Sequence, residues 1–283
     1  MNKQWLAPAK INRFLHITGQ RDDGYHELQT VFQFLDFADE LSFKILENRE
    51  ISHANPLPGV KEEDDLSVRA AKLLQKQSNC QQGVQISIKK RLPMGGGLGG
   101  GSSDAATTLV ALNQLWQLNI NMAELASLGV QLGADVPIFI HGFAAWAEGV
   151  GEDVSPIQLD EPYFVVLIPP VSVSTADIFS APSLKRDCTP INMNHFLAGE
   201  GANVCESVVR ELYPEVEQAI QWLDQFAEAR MTGTGACVFA PLPSKQEAEQ
   251  VLAQKPEQFG GFIAQGRNIS PLYSLSPHPP GEG

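Results

Sequence analysis

The chain has 283 residues, 43% hydrophobic and 19% charged, which is typical of a globular protein and excludes a small disulfide-stapled scaffold. Its 33 acidic and 20 basic side chains give a net charge of −13, which argues against a general binder of nucleic acids or of anionic membranes. A small anionic substrate is still compatible with this charge, because a local cluster of cations can bind one within an acidic protein.

Cysteine usage and apolar runs indicate the compartment. The cysteines form no C-x-x-C pair, so free thiols are favoured over disulfides or a metal site. The N-terminus lacks a signal-peptide pattern. The longest apolar run, residues 163–171, contains two prolines and is far shorter than the ~20 residues of a membrane span. We therefore expect a soluble, cytoplasmic protein.

The first half of the chain mixes strand and helix patterns. Residues 84–88 alternate between apolar and polar side chains, which predicts a strand. After a glycine-rich segment, the alanine-rich residues 105–116 predict a buried helix with Ser102 or Ser103 as its N-cap. Asn121, with Glu124 three residues later, predicts the start of another helix that ends before Gly133.

The middle of the chain is expected to contain the boundary between two subdomains. Pro137 favours extended backbone at Val136, and residues 138–146 then resemble a strand. Residues 149–162 are rich in Gly, Pro and acids and lack periodicity. We place the boundary there, between an N-terminal subdomain, 1–150, and a C-terminal one, 151–275.

The second half of the chain has the same mixed character. The predicted elements are a strand at 163–168, helices at 203–213 and 214–230, a polar turn at 232–235, a strand at 236–240 and a helix at 245–254. The proline-rich tail, 276–283, is expected to be disordered. This irregular order, without internal repeats, predicts an α+β fold rather than a regular doubly wound sheet.

Glycine is concentrated in one segment, since six of the 24 glycines lie within residues 95–101. Backbone without Cβ atoms can approach a ligand closely and direct successive N–H groups at it. The positive end of the following helix adds to this, so the segment predicts a polyphosphate-binding loop. A flexible linker is the less favoured alternative, because linkers rarely lie between a basic strand end and a buried helix.

Two common phosphate-binding motifs describe this loop poorly. The P-loop pattern is absent, because no lysine follows the glycines. The pattern G-x-G-x-x-G is formally present at Gly95, Gly97 and Gly100, but so many glycines satisfy many patterns. A dinucleotide-binding enzyme would also carry the loop early, within a repeating βαβ array. This interpretation is therefore disfavoured.

The sequence P-M-G-G-G-L-G-G-G-S-S-D-A-A at 93–106 resembles the signature of the small-molecule kinases related to galactokinase, homoserine kinase and mevalonate kinase. The runs P-A-K-I-N at 8–12 and R-D-D-G-Y-H-E-L at 21–28 are similar to one branch, the 4-diphosphocytidyl-2-C-methyl-D-erythritol kinases. The segments G-A-D-V-P at 133–137 and T-G-T-G-A-C-V-F at 232–239 match further motifs of that branch. These segments follow one another in the order expected for the family.

The resemblance implies both a fold and an activity. The fold would be an N-terminal mixed α/β subdomain with the glycine-rich loop and a C-terminal ferredoxin-like subdomain, with the active site in the cleft between them. The activity would be ATP-dependent phosphorylation of the 2-hydroxyl of 4-diphosphocytidyl-2-C-methyl-D-erythritol in the non-mevalonate isoprenoid pathway. The implied cofactors are ATP and Mg²⁺.

The same resemblance assigns the catalytic pair. Asp135 would act as general base and Lys10 as its cationic partner. Lys10 would hold Asp135 ionised, lower the pKa of the substrate hydroxyl, or both. Asn12 would share the strand face of Lys10 and point at the same site. On local sequence alone, Asp135 is more simply an ordinary turn aspartate. For Lys10, which is unusual in an otherwise apolar strand start, a solvated lysine at a strand edge is the alternative.

A cytidine-containing substrate would be held by residues from both halves of the chain. Tyr25 and Phe179 are the expected pair to stack on the cytosine, and His26 would hydrogen-bond it. Thr175 is a further expected substrate contact, and so is Asn203 at a helix start. In isolation, Phe179 would more often be a core residue.

The nucleotide would be bound chiefly by backbone. The metal ligands are left open, since no compact carboxylate cluster is evident and Mg²⁺ commonly relies on substrate phosphates and water. Ser102 and Ser103 offer hydroxyls to a phosphate or to Mg²⁺. The expected nucleotide-binding residues are Lys90, Pro93, Met94, Gly95, Gly96, Gly97, Leu98, Gly99, Gly100, Gly101, Ser102, Ser103, Thr232, Gly233, Thr234 and Gly235.

Two alternatives remain at this point. A sibling kinase for another small alcohol would lack the Gly-Tyr-His run at 24–26. A nucleotide-binding regulatory module would need neither Asp135 nor Lys10. We expect small-molecule partners, no nucleic acid and no membrane, and a monomer or weak homodimer. The acidic surplus lies outside the predicted loop, since residues 1–105 hold 13 basic and 13 acidic side chains.

Overall fold

In the computed structural model, which describes residues 3–22 and 24–274, strands from both halves of the chain join one mixed sheet. The strands are β1 (Trp5–Gln20), β2 (His26–Leu46), β3 (Ile51–His53), β4 (Gly83–Lys89), β5 (Ala145–Glu148), β6 (Asp153–Pro156), β7 (Tyr163–Ile168), β8 (Arg230–Met231), β9 (Val238–Leu242) and β10 (Gly260–Arg267). The helices are α1 (Leu66–Ser78), α2 (Gly100–Leu115), α3 (Met122–Val130), α4 (Val136–His141), α5 (Thr175–Ser180), α6 (Met193–Leu197), α7 (Val204–Leu212), α8 (Pro214–Leu223) and α9 (Lys245–Ala253), with a 3-10 helix at Pro271–Tyr273. The mixture of α and β elements confirms the α+β fold class.

The long strand β2 organises the sheet. It pairs antiparallel with β1 along most of its length and with β4, β5 and β10 over shorter stretches. The order along the main path is β3-β4-β2-β10-β7-β9-β8. Because β10 pairs with both β2 and β7, it joins the strands of the first half to those of the second.

Two large apolar cores lie along this sheet. In the first, α1–α4 pack on the early strands, and Leu272 and Tyr273 return to it from the far end of the chain. In the second, α5, α7, α8 and α9 pack on β7 and β9. A smaller cluster between them includes Leu98 of the glycine-rich loop and Cys237. The loop therefore lies where the two halves of the molecule meet.

The helix that follows the glycine-rich loop starts earlier than predicted. α2 begins at Gly100, and Gly99 is its N-cap, with φ of 72° and no side-chain hydrogen bond. The prediction that Ser102 or Ser103 caps the helix is wrong, because the glycines continue straight into its first turn. The first N–H groups of α2 therefore have no side-chain cap.

The segment around Pro137 is also different from the prediction. Residues 136–141 form α4, with proline in the first turn, rather than extended backbone followed by a strand over 138–146. Proline is tolerated there because the first helical N–H groups have no intrahelical partner. Val136 to Ile140 are all buried, so the apolar run that suggested a strand is a helix buried on every side.

Other predicted elements agree with the structure to different degrees. The strand at 163–168 is confirmed, and so is the helix capped by Asn121, whose side chain accepts from the Glu124 N–H. The predicted helix 214–230 ends at Leu223, and the segment without periodicity contains β6. The predicted strand at 236–240 is displaced to Val238–Leu242.

The predicted boundary at residue 150 stays a prediction. It falls in the turn between the paired strands β5 and β6. The predicted disordered tail, 276–283, lies outside the described residues. No helix in the described part of the chain combines the length and the apolarity needed to cross a membrane.

Candidate active site

A cavity of about 600 Å³ opens between the two halves of the molecule. Its floor is formed by residues of β1 and β2, including Lys10 and Asn12. Residues 93–102 line one side, and Thr175, Phe179, Gly233 and Thr234 come from the second half of the chain. The predicted site residues from distant parts of the sequence therefore meet around one cavity.

The glycine-rich loop requires glycine for physical reasons at specific positions. Gly97 has φ of +76°, and a Cβ there would lie 2.2 Å from the carbonyl oxygen of Thr232. Gly99 has φ of +72°, and its Cβ would lie 2.8 Å from the Phe139 ring. The loop ends in the 16-residue helix α2, whose N-terminal N–H groups favour an anion.

A second loop, residues 232–235, packs directly against the glycine-rich loop. The Thr232 hydroxyl accepts from the Asn12 backbone N–H at 3.0 Å and donates to the Gly97 carbonyl at 3.2 Å. The Cys237 N–H donates to the Gly96 carbonyl at 3.1 Å. These hydrogen bonds join strand β1 and the two loops into one unit.

The predicted catalytic pair is in contact. The Lys10 Nζ lies 3.2 Å from the Asp135 Oδ2, and the Asp135 side chain is 36% exposed while that of Lys10 is 4% exposed. Lys10 Nζ also donates to Asn12 Oδ1 at 2.7 Å. Asp135 is the N-cap residue of α4, so the short helix that the sequence analysis missed is what directs this carboxylate at β1.

The orientation of the Asn12 amide is set from the neighbouring strand. Asn12 Nδ2 donates to Thr30 Oγ1 at 2.8 Å, and the Thr30 hydroxyl donates to the Phe14 carbonyl at 2.5 Å. Because Nδ2 is held by Thr30, Oδ1 is left to face the Lys10 ammonium. Thr30 was not predicted, and only its place in the strand after the Gly-Tyr-His run could have suggested it.

Lys90 has partners that the sequence analysis did not foresee. Its Nζ donates to Asp39 Oδ2 at 2.5 Å and to Asp104 Oδ2 at 2.8 Å. The Asp39 Oδ1 accepts from the N–H groups of Arg91 and Leu92. Burial alone would lower the pKa of Lys90, but the negative charges of Asp104 and Asp39 raise it above its ordinary value. The segment that leads into the glycine-rich loop, residues 90–92, is thus held by the buried carboxylates of Asp39 and Asp104.

Asp104 is expected to make stability depend on pH. Burial, opposed by Lys90, raises the pKa of its carboxyl to about 7 from 3.8. Between pH 4 and 7 the folded protein holds a proton here that the unfolded chain has lost, so the free energy of unfolding falls as pH rises. Between pH 5 and pH 8, the free energy of unfolding measured in urea should fall more in the wild type than in Asp104→Asn.

The exposed residue Asp153 offers a matched control for this measurement. Asp153→Asn removes one carboxylate at the surface and should reproduce the pH dependence of the wild type. Equal pH dependence in the wild type and in Asp104→Asn would contradict the prediction.

An aromatic wall, formed by the stacked side chains of Phe179 and His26, lies where Phe179 lines the cavity. Phe179 lines the cavity, and the His26 ring is stacked on it with centroids 5.0 Å apart and planes at 23°. Tyr25 is 65% exposed. The Thr175 and Thr234 hydroxyls lie 2.9 Å apart, so the helix that carries Phe179 contacts the second loop.

Several predicted residues do not line the cavity within the described part of the chain. Asn203 is buried, caps α7 and donates to the carbonyls of Met231 and Gly233, so it supports the second loop from behind. Ser103 is buried, and its Oγ has no hydrogen-bond partner among the described residues. The others are Tyr25, His26, Thr232 and Gly235. The roles of the predicted site residues stay predictions.

Within residues 3–22 and 24–274, no group of three or more His, Cys, Asp or Glu side chains could hold a metal ion. The oxygens at the loop end of the cavity are nevertheless of the kind that Mg²⁺ prefers. They include the Ser102 hydroxyl, the Asp135 carboxylate and Asp104 Oδ1, which has no hydrogen-bond partner among the described residues. This donor set fits a cation that is held mainly by a polyphosphate.

Two family models match the chain on either side of the cavity. "GHMP kinases N terminal domain" matches residues 65–143, and "GHMP kinases C terminal" matches residues 190–260. The first match contains the glycine-rich loop and Asp135.

Curated relatives match over nearly the whole chain. The chain is 57% identical over 268 residues to the 4-diphosphocytidyl-2-C-methyl-D-erythritol kinase of Nitrosococcus oceani, covering 95% of this chain and 96% of the relative. It is 55% identical over 267 residues to the enzyme of that name from Pseudomonas syringae pv. syringae, covering 94% and 95%.

Solved structures share the fold. A crystal structure of 4-(cytidine 5'-diphospho)-2C-methyl-D-erythritol kinase matches with a TM-score of 0.82 and 30% identity, covering 93% of this chain and 99% of the other. The mevalonate kinase of L. major matches with a TM-score of 0.68 and 16% identity, covering 95% and 97%, which concerns the fold alone. These matches confirm the predicted two-subdomain small-molecule kinase fold.

Proposed function

Because the chain belongs to the GHMP kinase family and, within it, to the 4-diphosphocytidyl-2-C-methyl-D-erythritol kinases, we propose that it transfers the γ-phosphoryl group of ATP to the 2-hydroxyl of 4-diphosphocytidyl-2-C-methyl-D-erythritol. The products are the 2-phosphate and ADP. The reaction belongs to the non-mevalonate route to isoprenoids.

The observation that carries the proposal is the contact between Lys10 and Asp135 next to the glycine-rich loop, where the Lys10 backbone N–H donates to the Leu98 carbonyl at 3.0 Å. Their charged atoms are 3.2 Å apart, and both residues line the cavity with residues 95–101. Phosphoryl transfer depends mainly on positioning and charge neutralisation, and the alcohol must lose its proton as the new bond forms. The pair offers a base for the alcohol beside a loop suited to the phosphates.

Each member of the pair has a distinct role. Asp135 accepts the proton of the 2-hydroxyl while the alcohol oxygen bonds to the γ-phosphorus and ADP leaves. Lys10 holds the Asp135 carboxylate in place and brings positive charge next to the developing alkoxide. Asn12, fixed by Thr30, keeps the ammonium directed at this position.

The phosphates are bound chiefly by backbone. The N–H groups of residues 95–101 and the first turn of α2 provide donors and positive potential for the triphosphate. Gly233 and Thr234, from the loop packed against the glycine-rich loop, also line the cavity. Mg²⁺, when bound with ATP, would neutralise charge on the phosphate oxygens, and the hydroxyl of Ser102, which lines the cavity, is a candidate oxygen donor to it or to a phosphate.

The test is a coupled assay of ADP release with purified protein and a panel of alcohols. We expect turnover of 4-diphosphocytidyl-2-C-methyl-D-erythritol in strong preference to homoserine and mevalonate. Preferential turnover of either of these two would contradict the proposed specificity, and no turnover of any alcohol would contradict the proposed activity.

The nucleobase of the alcohol substrate is expected to stack on Tyr25. Tyr25→Ala should weaken binding of the cytidyl substrate by about 1–3 kcal/mol, the magnitude typical of base–aromatic stacking, and leave the KM for ATP unchanged. Tyr25→Phe keeps the ring and serves as the matched control, with a near-normal KM for the cytidyl substrate. A change confined to the KM for ATP would mean that Tyr25 acts at the nucleotide end instead.

A further inference from the structure

The half-buried side chain of Arg186 connects both members of the aromatic wall. Its Nε donates to His26 Nε2 at 3.2 Å. Its Nη2 donates to the Phe179 carbonyl at 2.7 Å and to the Ala181 carbonyl at 3.0 Å, and its Nη1 donates to the Leu184 carbonyl at 3.1 Å. Arg186 belongs to none of the motifs named above.

The contact with His26 determines which nitrogen of that ring carries the proton. A guanidinium donates and cannot accept, so His26 Nε2 must be unprotonated. The ring is then neutral, with its proton on Nδ1. Burial and the positive charge of Arg186 lower the pKa of His26 below its ordinary value, in agreement with this geometry.

The contacts with backbone carbonyls determine the position of Phe179. Phe179 lies in the last turn of α5, a helix of six residues that is too short to be stable alone. The final carbonyls of a helix have no intrahelical donors and favour a cation nearby. The Arg186 fork supplies both the donors and the charge, while His26 covers one face of the Phe179 ring.

We propose that Arg186 is a positioning residue for recognition of the nucleobase, because it fixes Phe179, which lines the cavity, together with His26, which is stacked on it, as one preformed aromatic pair. This inference rests on the proposed function, since the ligand is the pyrimidine base of the cytidyl substrate. Preformed side chains reduce the entropy lost when the base binds. Arg186 therefore acts on affinity for the cytidyl substrate and not on the phosphoryl-transfer step.

Steady-state kinetics of Arg186→Gln test this assignment. Immobilising a free side chain costs conformational entropy, so releasing both Phe179 and His26 should raise the KM for the cytidyl substrate about tenfold. The kcat and the KM for ATP should stay close to those of the wild type. Arg186→Lys keeps the charge without the planar fork and should show a smaller increase in this KM.

Arg267→Gln is the matched control for these kinetics. Arg267 is another partly buried arginine, held by Asp36 and Glu161 away from the cavity-lining residues. Its replacement should leave the KM for the cytidyl substrate unchanged. Equal KM values for the wild type and both Arg186 variants would overturn the proposal.

A spectroscopic measurement tests the contact between Arg186 and His26 without any substrate. In ¹⁵N NMR spectra of the histidine side chains at pH 7, His26 should show the neutral ring protonated at Nδ1, with its signal assigned from a His26→Gln variant. In Arg186→Gln this tautomer should lose its dominance and the pKa of His26 should rise. A His26 protonated at Nε2 in the wild type would overturn the proposal even if Arg186→Gln failed to fold.

The kinetic and spectroscopic measurements distinguish a failure of the role proposed for Arg186 from a failure of the proposed function. A wild-type protein that does not phosphorylate the cytidyl alcohol would contradict the proposed function and, with it, the nucleobase ligand assigned to the wall. The tautomer of His26 is independent of turnover, so it reports on Arg186 alone.

Discussion

Replacement of Asp135 by Asn is expected to lower kcat at least ~10²-fold, the usual contribution of a positioned general base. The Asn side chain has nearly the same shape, and its carbonyl oxygen can still accept from Lys10 Nζ, which lies 3.2 Å from Asp135 Oδ2. It can no longer take the proton of the substrate hydroxyl. ATP affinity, measured by calorimetry, should be retained, since the glycine-rich loop is unchanged.

Asp160→Asn is the matched control for the Asp135 variant. Asp160 also forms an ion pair with a basic side chain, Arg13, at 3.3 Å, but it does not line the cavity. Its replacement should leave kcat close to the wild-type value in the same ADP-release assay. Near-normal turnover by Asp135→Asn would show that Asp135 is not the base.

Replacement of Gly97 by Ala is expected to separate the two loops of the nucleotide site. The new Cβ would lie 2.2 Å from the Thr232 carbonyl oxygen and 3.0 Å from that of Gly235, at a φ of +76°. The left-handed backbone costs about 1–2 kcal/mol and overpacking about 1–3 kcal/mol. Urea denaturation should therefore show a loss of roughly 2–5 kcal/mol in the free energy of unfolding.

The same substitution should also affect catalysis through ATP. The Gly97 carbonyl accepts from the Thr232 hydroxyl, so a shift of the glycine-rich loop also moves the second loop, and both loops line the cavity. A misplacement of about 1 Å can cost ~10²-fold, and we expect a loss of that order in kcat/KM for ATP.

Gly101→Ala provides the control for stability. It adds the same methyl group four residues later, inside α2, where the nearest heavy atom is Leu66 Cδ1 at 3.4 Å. Alanine favours a helix over glycine by up to ~1 kcal/mol, so this variant should unfold at an equal or higher urea concentration. A comparable loss of stability in both variants would contradict the role assigned to Gly97.

Much of the fold was predictable because its signals are local. The buried strand Tyr163–Ile168 is bounded by proline, and the helix starting after Asn121 has its capping residue in the sequence. The prediction failed at residues 136–146, where an apolar run has no polar side by which a helix could be recognised. Tertiary burial decided there that Val136–His141 is a helix, with Pro137 in its first turn.

The candidate site was predictable to the extent that it consists of motifs. Lys10, Asn12, the glycine-rich loop, Asp135, Thr175 and Phe179, all named from the sequence, line the cavity, while their roles stay predictions. Residues that position other site residues were missed. Thr30, Asp39 and Arg186 are of this kind, and they belong to none of the recognised motifs. Asn203 was named as a substrate contact from the family resemblance, yet its amide donates to backbone carbonyls behind the second loop.

The sequence by itself determined the kinds of groups at the site and the family to which they point. Composition, glycine spacing and capping residues act over a few neighbouring positions, so one chain is enough to interpret them. Only the tertiary structure decided that Lys10 contacts Asp135, that Asp39 and Asp104 hold Lys90, and that Arg186 joins Phe179 to His26. Those contacts join distant segments, and they exist because burial of two apolar cores on one sheet brings the segments together.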